Sequence, residues 1–459
     1  MNSSRRDTLK KLAAGAAGVT LGTMGITAKS YANILGANDR ITMSVIGVRG
    51  QGFSHLRRWA GMAEKNNVRV KTICDIDENL FAERVKVVSE LQGDEPGTEI
   101  DMRKVFEDPD IDAISIGAPN HWHALATIWA CQAGKHVYVE KPSSHNVWEG
   151  RKMVEAARKY DRIVQVGFQN RSINNVRQAM QLLHDGVIGD VFMARGLCLK
   201  PRDSFGIAED SDAPAGFHHD LWLGPAAWRP YNEKKAHYNW HWHWDTGNGD
   251  NGNQGPHQYD IARWGLGKDE HPVRIQSMGG YFKFSNQECS QETPNTQTTT
   301  FEYADGKLLQ FEVRGLYTAG EDSLNVKIGN LFYGTEGWME INGSNWNTYM
   351  GRQGEPGPSS ADAGKEEAGS ASGYLAAPGG GGHYNNFIAA VRSGNRDDLT
   401  CDVLEGHISS VLPILGNISY RLGRELRFDG DSEQFTGDKQ ANKHLTREYR
   451  EPYVVPHHV

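Results

Sequence analysis

The sequence is poor in cysteine and has no excess of positive charge. Five cysteines are spread over 459 residues, and no two of them have a Cys-x-x-Cys spacing. This argues against a disulfide framework and against a cysteine-based zinc site. Lysine and arginine number 49 against 57 aspartates and glutamates, a formal net charge of −8. A chain with this balance and no basic patch lacks the cations that nucleic acid binding requires, so we expect no nucleic acid partner.

The chain also lacks a long apolar run of the kind that spans a bilayer. The run Leu12–Ile26, rich in alanine and glycine, is too short and too weakly apolar. It follows Arg5 and Arg6 and precedes small residues within Ala28–Ala32, which is the layout of a twin-arginine export signal. The sequence predicts a signal peptide over residues 1–32, a periplasmic location and no membrane span in the mature form. A disordered basic tail and an uncleaved, membrane-tethered form remain the alternatives.

At this length we expect two domains, because one hydrophobic core rarely organises so many residues. The first begins with a short apolar strand, a glycine turn, a helix and a second strand. This order is typical of right-handed βαβ units and predicts a doubly wound parallel sheet, a Rossmann domain, over residues 40–167. The predicted elements are Ile41–Ile46, Phe53–Glu64, Val68–Cys74, Glu78–Leu91, Ile111–Ile116, His121–Ala133, His136–Val139, Val147–Lys159 and Ile163–Val166.

Beyond Gly167 the pattern changes to strand-like runs separated by turns such as Asp305-Gly306. Successive hairpins predict an α+β domain over residues 168–430 with an open, mainly antiparallel sheet. Residues 351–382 are rich in Gly, Ser, Ala and Pro and indicate a loop, and residues 431–459 form a polar C-terminal tail. The predicted strands are Val191–Leu199, Val273–Phe284, Thr298–Tyr303, Lys307–Val313 and Val326–Phe332.

A glycine-rich turn with Gly47, Gly50 and Gly52 follows the first strand. Such a turn lets backbone N–H groups approach a pyrophosphate at the positive end of a helix. Arg49 occupies the middle position of the pattern, which indicates a turn shifted by one residue. Asp75 ends the second strand, where a carboxylate accepts hydrogen bonds from ribose hydroxyls and repels a 2′-phosphate. The sequence therefore predicts NAD as the cofactor, with NADP left open by Arg49.

Two further turns lie at the carboxyl ends of predicted strands. Pro119, Asn120 and His121 open a helix after the third strand, and Asn120 is a suitable N-cap. We expect this turn to lie over the nicotinamide ribose. The alternative is a capped helix whose first turn has no role in cofactor binding. Glu140 and Lys141 end the next strand, which places a lysine where a nicotinamide ring would meet a hydroxyl-bearing substrate.

In this order of motifs the chain resembles the glucose-fructose oxidoreductase and inositol dehydrogenase family, Gfo/Idh/MocA. The resemblance covers the turn at Gly47, Asp75, Pro119 to His121, Glu140-Lys141-Pro142 and Gly255 to Asp260. It implies a Rossmann domain followed by an α/β domain whose open sheet supports contacts in a dimer or tetramer. It also implies an NAD(P) cofactor and sugar or polyol substrates. Lys141 corresponds to the catalytic lysine of the family and His257 to the histidine of its second motif.

The sequence departs from the family pattern near His257. Many family dehydrogenases have an aspartate four residues before this histidine, whereas Asn253 stands here, with Asp250 a turn earlier. Either Asp250 orients His257, or the proton relay is shorter. Oxidation of a secondary alcohol needs a base for the hydroxyl proton and a cation beside the oxygen. We expect His257 to be the base and Lys141 the cation.

Aromatic and polar residues alternate in the segment 238–245. A period of two is typical of a strand that buries its tryptophans, but the histidines of this segment would be unusual in a core. We therefore predict a carbohydrate-binding wall made of Trp240, Trp242, His243 and Trp244. His241, His243 and Asp245 offer metal ligands without a distant partner, so no metal is predicted.

The sequence predicts an NAD(P)-dependent oxidoreductase that acts on a secondary hydroxyl of a sugar, glycoside or polyol. One alternative is a glycosidase, lyase or epimerase that retains its NAD and works through a transient keto-sugar, since a periplasm supplies no free NAD. The other is a non-catalytic sugar-binding protein, which the intact Lys141 and Asp75 disfavour.

Overall fold

A six-stranded parallel sheet forms the first part of the structure, a computed structural model that describes residues 39–343, 345–362 and 382–459. The predicted export signal lies outside these residues. The strands are β1 (Ile41–Ile46), β2 (Val68–Cys74), β3 (Gly97–Glu99), β4 (Ala113–Ile116), β5 (His136–Glu140) and β6 (Val164–Gly167). Their order is β3-β2-β1-β4-β5-β6, and all neighbours are parallel. This confirms the predicted doubly wound sheet.

Helices connect these strands and bury the sheet. They are α1 (Gly50–Ala60), α2 (Ala63–Asn66), α3 (Phe81–Gln92), α4 (Met102–Glu107), α5 (Asn120–Gln132) and α6 (Val147–Lys159). Every residue of β4 and β6 is buried, as expected for a parallel sheet covered on both faces. The edge strand β3 was not predicted, because its sequence Gly-Thr-Glu has no apolar residue.

The second sheet has ten strands. They are β7 (Val191–Cys198), β8 (Arg274–Gly280), β9 (Thr296–Glu302), β10 (Leu308–Arg314), β11 (Ile328–Gly334), β12 (Gly337–Asn342), β13 (Asn345–Met350), β14 (Glu355–Ser359), β15 (Leu426–Asp429) and β16 (Gln434–Phe435). The order is β14-β13-β12-β11-β7-β10-β9-β8-β15-β16. Among the described strands of this second sheet, only β7 and β10 pair in parallel, and the other pairs are antiparallel. The α+β prediction is confirmed, but β14 lies in the predicted loop 351–382, of which residues 363–381 are outside the described part.

One face of this sheet is covered by helices. In β9 and β10 buried residues alternate with more exposed ones, and the buried Phe301 and Phe311 belong to the same core as Tyr259 and Val411. The helices of this part are α7 (Asn174–His184), α8 (His219–Leu223), α9 (Gly249–Asn253), α10 (Gly255–Gly265), α11 (Gly382–Ser393), α12 (Val403–Leu422) and α13 (Lys439–Asn442). No helix among the described residues is long and apolar enough to cross a membrane.

The end of the chain packs against the first sheet. Tyr453, Val455 and Val459 are buried in the same core as Trp122 of α5, and the rings of Tyr453 and Trp122 meet edge to face at 5.4 Å. The polar sequence of this segment gave no indication of such packing, because three apolar residues spaced by irregular turns have no helical or strand period.

Candidate cofactor and substrate site

The turn between β1 and α1 is built from close backbone contacts. Gly47 and Gly50 have φ of +75° and +49°, conformations that favour glycine. A Cβ on Gly52 would lie 1.6 Å from the Gly47 carbonyl oxygen, and one on Gly117 would lie 2.7 Å from the Gly52 Cα. Because Gly52 has no side chain, the first turn of α1 can pack directly against the turn after β1 and the turn after β4. Positive φ at both Gly47 and Gly50 agrees with the irregular spacing seen in the sequence.

Asp75 lies beside this turn at the end of β2. Its Oδ2 accepts a hydrogen bond from the Val48 N–H at 2.6 Å, and its Oδ1 accepts one from the Asp77 N–H at 3.0 Å. Burial raises the pKa of Asp75 to about 6, although the two backbone hydrogen bonds oppose this shift. Each carboxylate oxygen has a second lone pair, so Asp75 can still accept hydrogen bonds from ribose hydroxyls.

A cavity of 1440 Å³ runs along the carboxyl ends of the parallel strands into the second part of the chain. A cleft at this edge is where doubly wound sheets bind their ligands. A Cβ on Gly50 would meet no described atom within 4 Å, so the start of α1 is open to a phosphate group. These features fit a dinucleotide. The predicted cofactor residues that line the cavity are Gly47, Arg49, Gly50, Asp75, Pro119, Asn120, Glu140 and Lys141.

The start of α5 differs from the prediction in two respects. Pro119, not Asn120, is the N-cap, and Asn120 is the first helical residue. Its side-chain Nδ2 is buried in the cavity wall without a hydrogen-bond partner among the described residues. His121 is turned away from the cofactor crevice: its Nε2 lies 2.9 Å from the Trp222 carbonyl oxygen, and burial lowers its pKa to about 3. His121 therefore holds another segment in place.

Glu140 and Lys141 occupy the predicted position at the end of β5. Glu140 Oε1 accepts a hydrogen bond from Gln169 Nε2 at 2.7 Å and lies 3.0 Å from His55 Nε2. Burial is the largest influence and by itself would raise the pKa of Glu140, but the hydrogen bond and charge interaction with His55, together with the charge interactions of Lys141 and His257, hold this pKa well below its usual range. Lys141 Nζ donates to the Asn253 carbonyl oxygen at 2.8 Å. Burial lowers the pKa of Lys141, and the Glu140 carboxylate opposes that shift.

His257 belongs to the motif Gly255 to Asp260, near the start of α10, and lines the same cavity as Lys141. Its Nδ1 is buried with no hydrogen-bond partner among the described residues, and its ring meets Phe168 edge to face. Burial and the charge of Lys141 lower the pKa of His257 to about 4. The imidazole is therefore neutral near pH 7 and free to accept a proton.

Asp250 does not orient His257. Its two carboxylate oxygens accept hydrogen bonds from the guanidinium of Arg202 at 2.8 and 3.0 Å, and the side chain is almost fully buried in this ion pair. A buried carboxylate keeps such a partner because leaving either charge unpaired is costly. Asn253 lines the cavity and supplies its backbone carbonyl to Lys141. Of the two arrangements considered from the sequence, the shorter relay agrees with this geometry.

The tryptophan-rich segment is not a strand. Residues Asn239–Trp242 form a 3-10 turn, so the alternation of residue types does not correspond to two sheet faces. Trp240 lines the cavity, whereas Trp242 is buried beneath Arg202 and Trp244 stacks under Arg421.

His243 is also absent from the cavity wall. It is 2 % exposed, and its Nδ1 lies 3.4 Å from Glu292. The predicted sugar wall is therefore wrong for Trp242, His243 and Trp244, because none of these side chains lines the cavity.

One group of possible metal ligands converges elsewhere among the described residues: His271, His407 and Glu433. Both imidazole Nε2 atoms contact Glu433 Oε1, at 3.0 and 2.6 Å. The Arg151 guanidinium binds both oxygens of the same carboxylate. Both Nδ1 atoms are buried without a partner among the described residues, whereas metal-bound histidines usually donate this N–H. The cluster is a buried ion-pair network rather than a favourable cation site.

Several cavity residues were not found from the sequence. They include Gln169, Trp222, His237 and His383. Gln169 follows β6, at the same sheet edge as Lys141, and this position was the one available signal. The others come from segments without a motif and reach the cavity only through the tertiary structure.

Comparison with known proteins agrees with this architecture. Residues 41–168 match the family model described as an oxidoreductase family, NAD-binding Rossmann fold, and residues 206–316 and 375–455 match the C-terminal α/β domain of that family. A levoglucosan dehydrogenase solved with NADH and levoglucosan has a TM-score of 0.62 at 19 % identity, covering 84 % of this chain and 99 % of that one. An aldose-aldose oxidoreductase from Caulobacter crescentus has a TM-score of 0.59 at 16 % identity, covering 85 % and 100 %.

Curated relatives are similar over shorter stretches. A levoglucosan dehydrogenase of Pseudarthrobacter phenanthrenivorans is 35 % identical over 100 residues, 22 % of this chain and 26 % of its own length. A glycosyl hydrolase family 109 protein of a Shewanella strain is 28 % identical over 212 residues, 41 % of this chain and 44 % of its own length. The match spans less than half the length of these relatives. The two family models together cover most of the chain, which belongs to the Gfo/Idh/MocA oxidoreductase family.

Proposed function

We propose that this protein is an NAD-dependent oxidoreductase that acts on a secondary hydroxyl of a sugar, glycoside or polyol. The observation that carries the proposal is the meeting of Lys141 and His257 in one cavity with the glycine turn and Asp75. Dehydrogenases for levoglucosan and for inositol among the relatives support this substrate class. The acidic Asp75 favours NAD over NADP because its charge repels a ribose 2′-phosphate.

The proposed chemistry divides between two side chains. When bound, the nicotinamide cofactor supplies the oxidant that accepts hydride from the substrate carbon. Lys141 donates a hydrogen bond to the substrate oxygen and stabilises its developing negative charge. His257, neutral near pH 7, accepts the hydroxyl proton. Trp240 and Tyr238 line the same cavity, and aromatic faces suit the apolar faces of sugar rings.

A second function is favoured by one specific observation. The family 109 glycosyl hydrolases match a larger share of this chain than the levoglucosan dehydrogenase does, 41 % against 22 %. With this second function the protein keeps its NAD bound and forms a keto-sugar only transiently. The ketone permits elimination of a group from a neighbouring carbon or inversion of the configuration at that carbon. Denaturing the purified protein and assaying the released nucleotide separates the two candidates when combined with turnover assays.

A net dehydrogenase requires added NAD and accumulates reduced cofactor in step with product. A retained-cofactor enzyme releases nucleotide on denaturation, converts glycosides without added NAD and accumulates no reduced cofactor. For the second case we expect a dissociation constant below about 1 μM, a binding free energy of more than about 8 kcal/mol. Purified protein that is free of nucleotide and needs millimolar NAD would contradict it.

We further propose that the protein is exported to the periplasm by the twin-arginine route. The basis is the sequence of residues 1–32, with Arg5 and Arg6 before a weakly apolar run. Replacing both arginines with lysine should leave the full-length protein in the cytoplasm. Cell fractionation would show this, and unchanged export of the double variant would contradict it.

We also infer that copies of this chain associate through the open face of the ten-stranded sheet. Met278 of β8 and Phe192 of β7, two large apolar residues of this sheet, are 68 % and 50 % exposed. A contact between copies of the chain would bury such side chains. Light scattering should give a dimer or tetramer, and Met278→Asp with Phe192→Asp should give a monomer. A monomeric wild type would contradict this part.

A further inference from the structure

A short segment, residues 215–224 and called the strap below, crosses the cavity edge of the first sheet. On one side it pairs with residues that follow β2. Phe217 forms an antiparallel bridge with Asp77, and the His218 N–H donates to the Ile76 carbonyl oxygen at 2.8 Å. The strap is therefore bonded by its backbone to the residues directly after Asp75.

Side chains add to this attachment. Asn79 Nδ2 donates to the Ala215 carbonyl oxygen at 3.1 Å, and His218 Nε2 lies 2.7 Å from Glu78 Oε1. Both contacts lie at the surface, so they can be removed without opening the core.

On its other side the strap is held by α5, the helix that follows β4. Trp122 Nε1 donates to the Leu221 carbonyl oxygen at 3.0 Å, and His121 Nε2 lies 2.9 Å from that of Trp222. Arg450, near the chain end, donates from Nε to the Gly224 carbonyl oxygen at 3.0 Å. His121 therefore holds the strap, whereas the sequence predicted that it would contact the cofactor.

The sheet order shows what the strap passes over. β1 lies between β2 and β4, so a segment bonded to the chain after β2 and to the helix after β4 must cross the end of β1. The glycine turn with Gly47 and Arg49 lies there and lines the same cavity as Trp222 of the strap. Phe217 and Leu223 are 7 % and 2 % exposed, so the strap is anchored by its own small core.

We infer that the strap holds the dinucleotide in place, and that NAD leaves only when the strap opens. This inference rests on the proposed NAD binding. Residues 215–224, which lie outside the Rossmann domain, would then control cofactor retention. A protein built in this way would take up its cofactor before or during final folding and exchange it slowly afterwards.

The first test loosens the strap. Asn79→Ala combined with His218→Ala removes both surface side-chain contacts, and Glu209→Ala, at an exposed position upstream, is the matched control. Protein loaded with NAD is mixed with excess labelled NAD, and incorporation of label is followed by rapid filtration. We expect exchange about tenfold faster in the double variant, since two hydrogen bonds are lost, and no change in the control.

The second test locks the strap. Asp77 and Phe217 are a facing antiparallel pair flanked by hydrogen bonds, so their Cα atoms should be about 4.5 Å apart, which suits a disulfide. Asp77→Cys with Phe217→Cys, oxidised after loading, should stop exchange. The same protein oxidised before loading should take up little NAD. Reduction should restore exchange in both, which makes the reduced protein its own control.

The outcomes separate the inference from the proposal on which it rests. Faster exchange on loosening, or redox-dependent exchange on locking, supports the strap. If bound NAD exchanges at one rate in the wild type, the loosened variant and the oxidised disulfide variant, the strap inference is overturned and the proposed function stands. If the wild type binds no NAD, both are overturned.

Discussion

Lys141 owes its position to the end of β5 and its chemistry to its surroundings. The ammonium group is bonded to the Asn253 carbonyl oxygen and lies near the Glu140 carboxylate, which His55 and Gln169 hold. Burial lowers the pKa of Lys141, so its proton is more readily shared with a developing alkoxide than that of a solvated lysine. The neighbouring Glu140 carboxylate opposes this lowering of the pKa.

Lys141→Ala should leave the fold and NAD binding intact and lower turnover by about 10²- to 10³-fold or more, because a donor to the substrate oxygen is lost. Lys86→Ala is a suitable control, since Lys86 is an exposed lysine of α3. Steady-state kinetics with NAD affinity measured in parallel would check this. Turnover near that of the wild type would remove Lys141 from the mechanism.

Asp75 should make NAD binding depend on pH. With a pKa of about 6 in the free protein, Asp75 is ionised above pH 6 and accepts ribose hydrogen bonds, and it becomes protonated below. The dissociation constant for NAD should therefore rise toward about tenfold per pH unit below pH 6. Calorimetry at several pH values should show this for the wild type and a flat profile for Asp75→Asn.

Asp75→Ala should in addition weaken NAD binding and reduce the preference over NADP, because the repelling charge is lost. Unchanged affinities for both nucleotides would place the ribose elsewhere.

The residues found from the sequence are those with a local signature. Gly47, Asp75 and Lys141 each lie at the carboxyl end of a strand. In a parallel sheet these ends share one edge, so the sequence alone predicts that the three residues lie on the same side of the sheet. Asp250 was misjudged because its partner Arg202 is distant in sequence, and Gln169 and His383 were missed for a similar reason. Hydrophobic periodicity along the sequence gives no information about which side chains of distant segments contact each other.

Among the elements, the turn between β1 and α1 has the least tolerance for change. A methyl group on Gly52 would overlap the Gly47 carbonyl, whereas one on Gly50 would meet open space but sit at a positive φ. Gly52→Ala should lower the free energy of unfolding by about 3 kcal/mol, and Gly50→Ala by about 1 kcal/mol.

Urea denaturation with and without NAD would test this pair. The Gly52 variant should also lose the stabilisation by NAD, since its phosphate turn is displaced. Equal effects of the two substitutions would contradict the close backbone packing.

Elements with strong periodicity were predicted well. β1, β2, β9 and β10 are within two residues of their predicted bounds, since alternating or continuous apolar runs have few other interpretations. β12 to β16 were not predicted, because they are short and many of their residues are polar. The segment 238–245 shows the opposite error: it alternates like a strand but folds as a turn, since His241 Nδ1 bonds back to the Tyr238 carbonyl.

At the scale of the whole molecule, the chain end contributes to the structure around the first sheet. Tyr453→Ala should lower the free energy of unfolding by about 3 kcal/mol, because a buried aromatic side chain leaves a cavity beside Trp122. His458→Ala, at an exposed position, should be neutral. Thermal or urea denaturation would distinguish the two. Equal stability of both variants would mean that the chain end is dispensable.

If one cavity binds NAD and oxidises a sugar hydroxyl through Lys141, a single turnover should reveal it. Protein loaded with NAD is mixed rapidly with a panel of sugars, glycosides and polyols, and nicotinamide reduction is followed by absorbance. We expect a burst of nicotinamide reduction with at least one of these compounds in the wild type, and a strongly slowed burst in Lys141→Ala at equal NAD content. Bound NAD that no member of the panel reduces, or an equal burst in the Lys141 variant, would contradict this expectation.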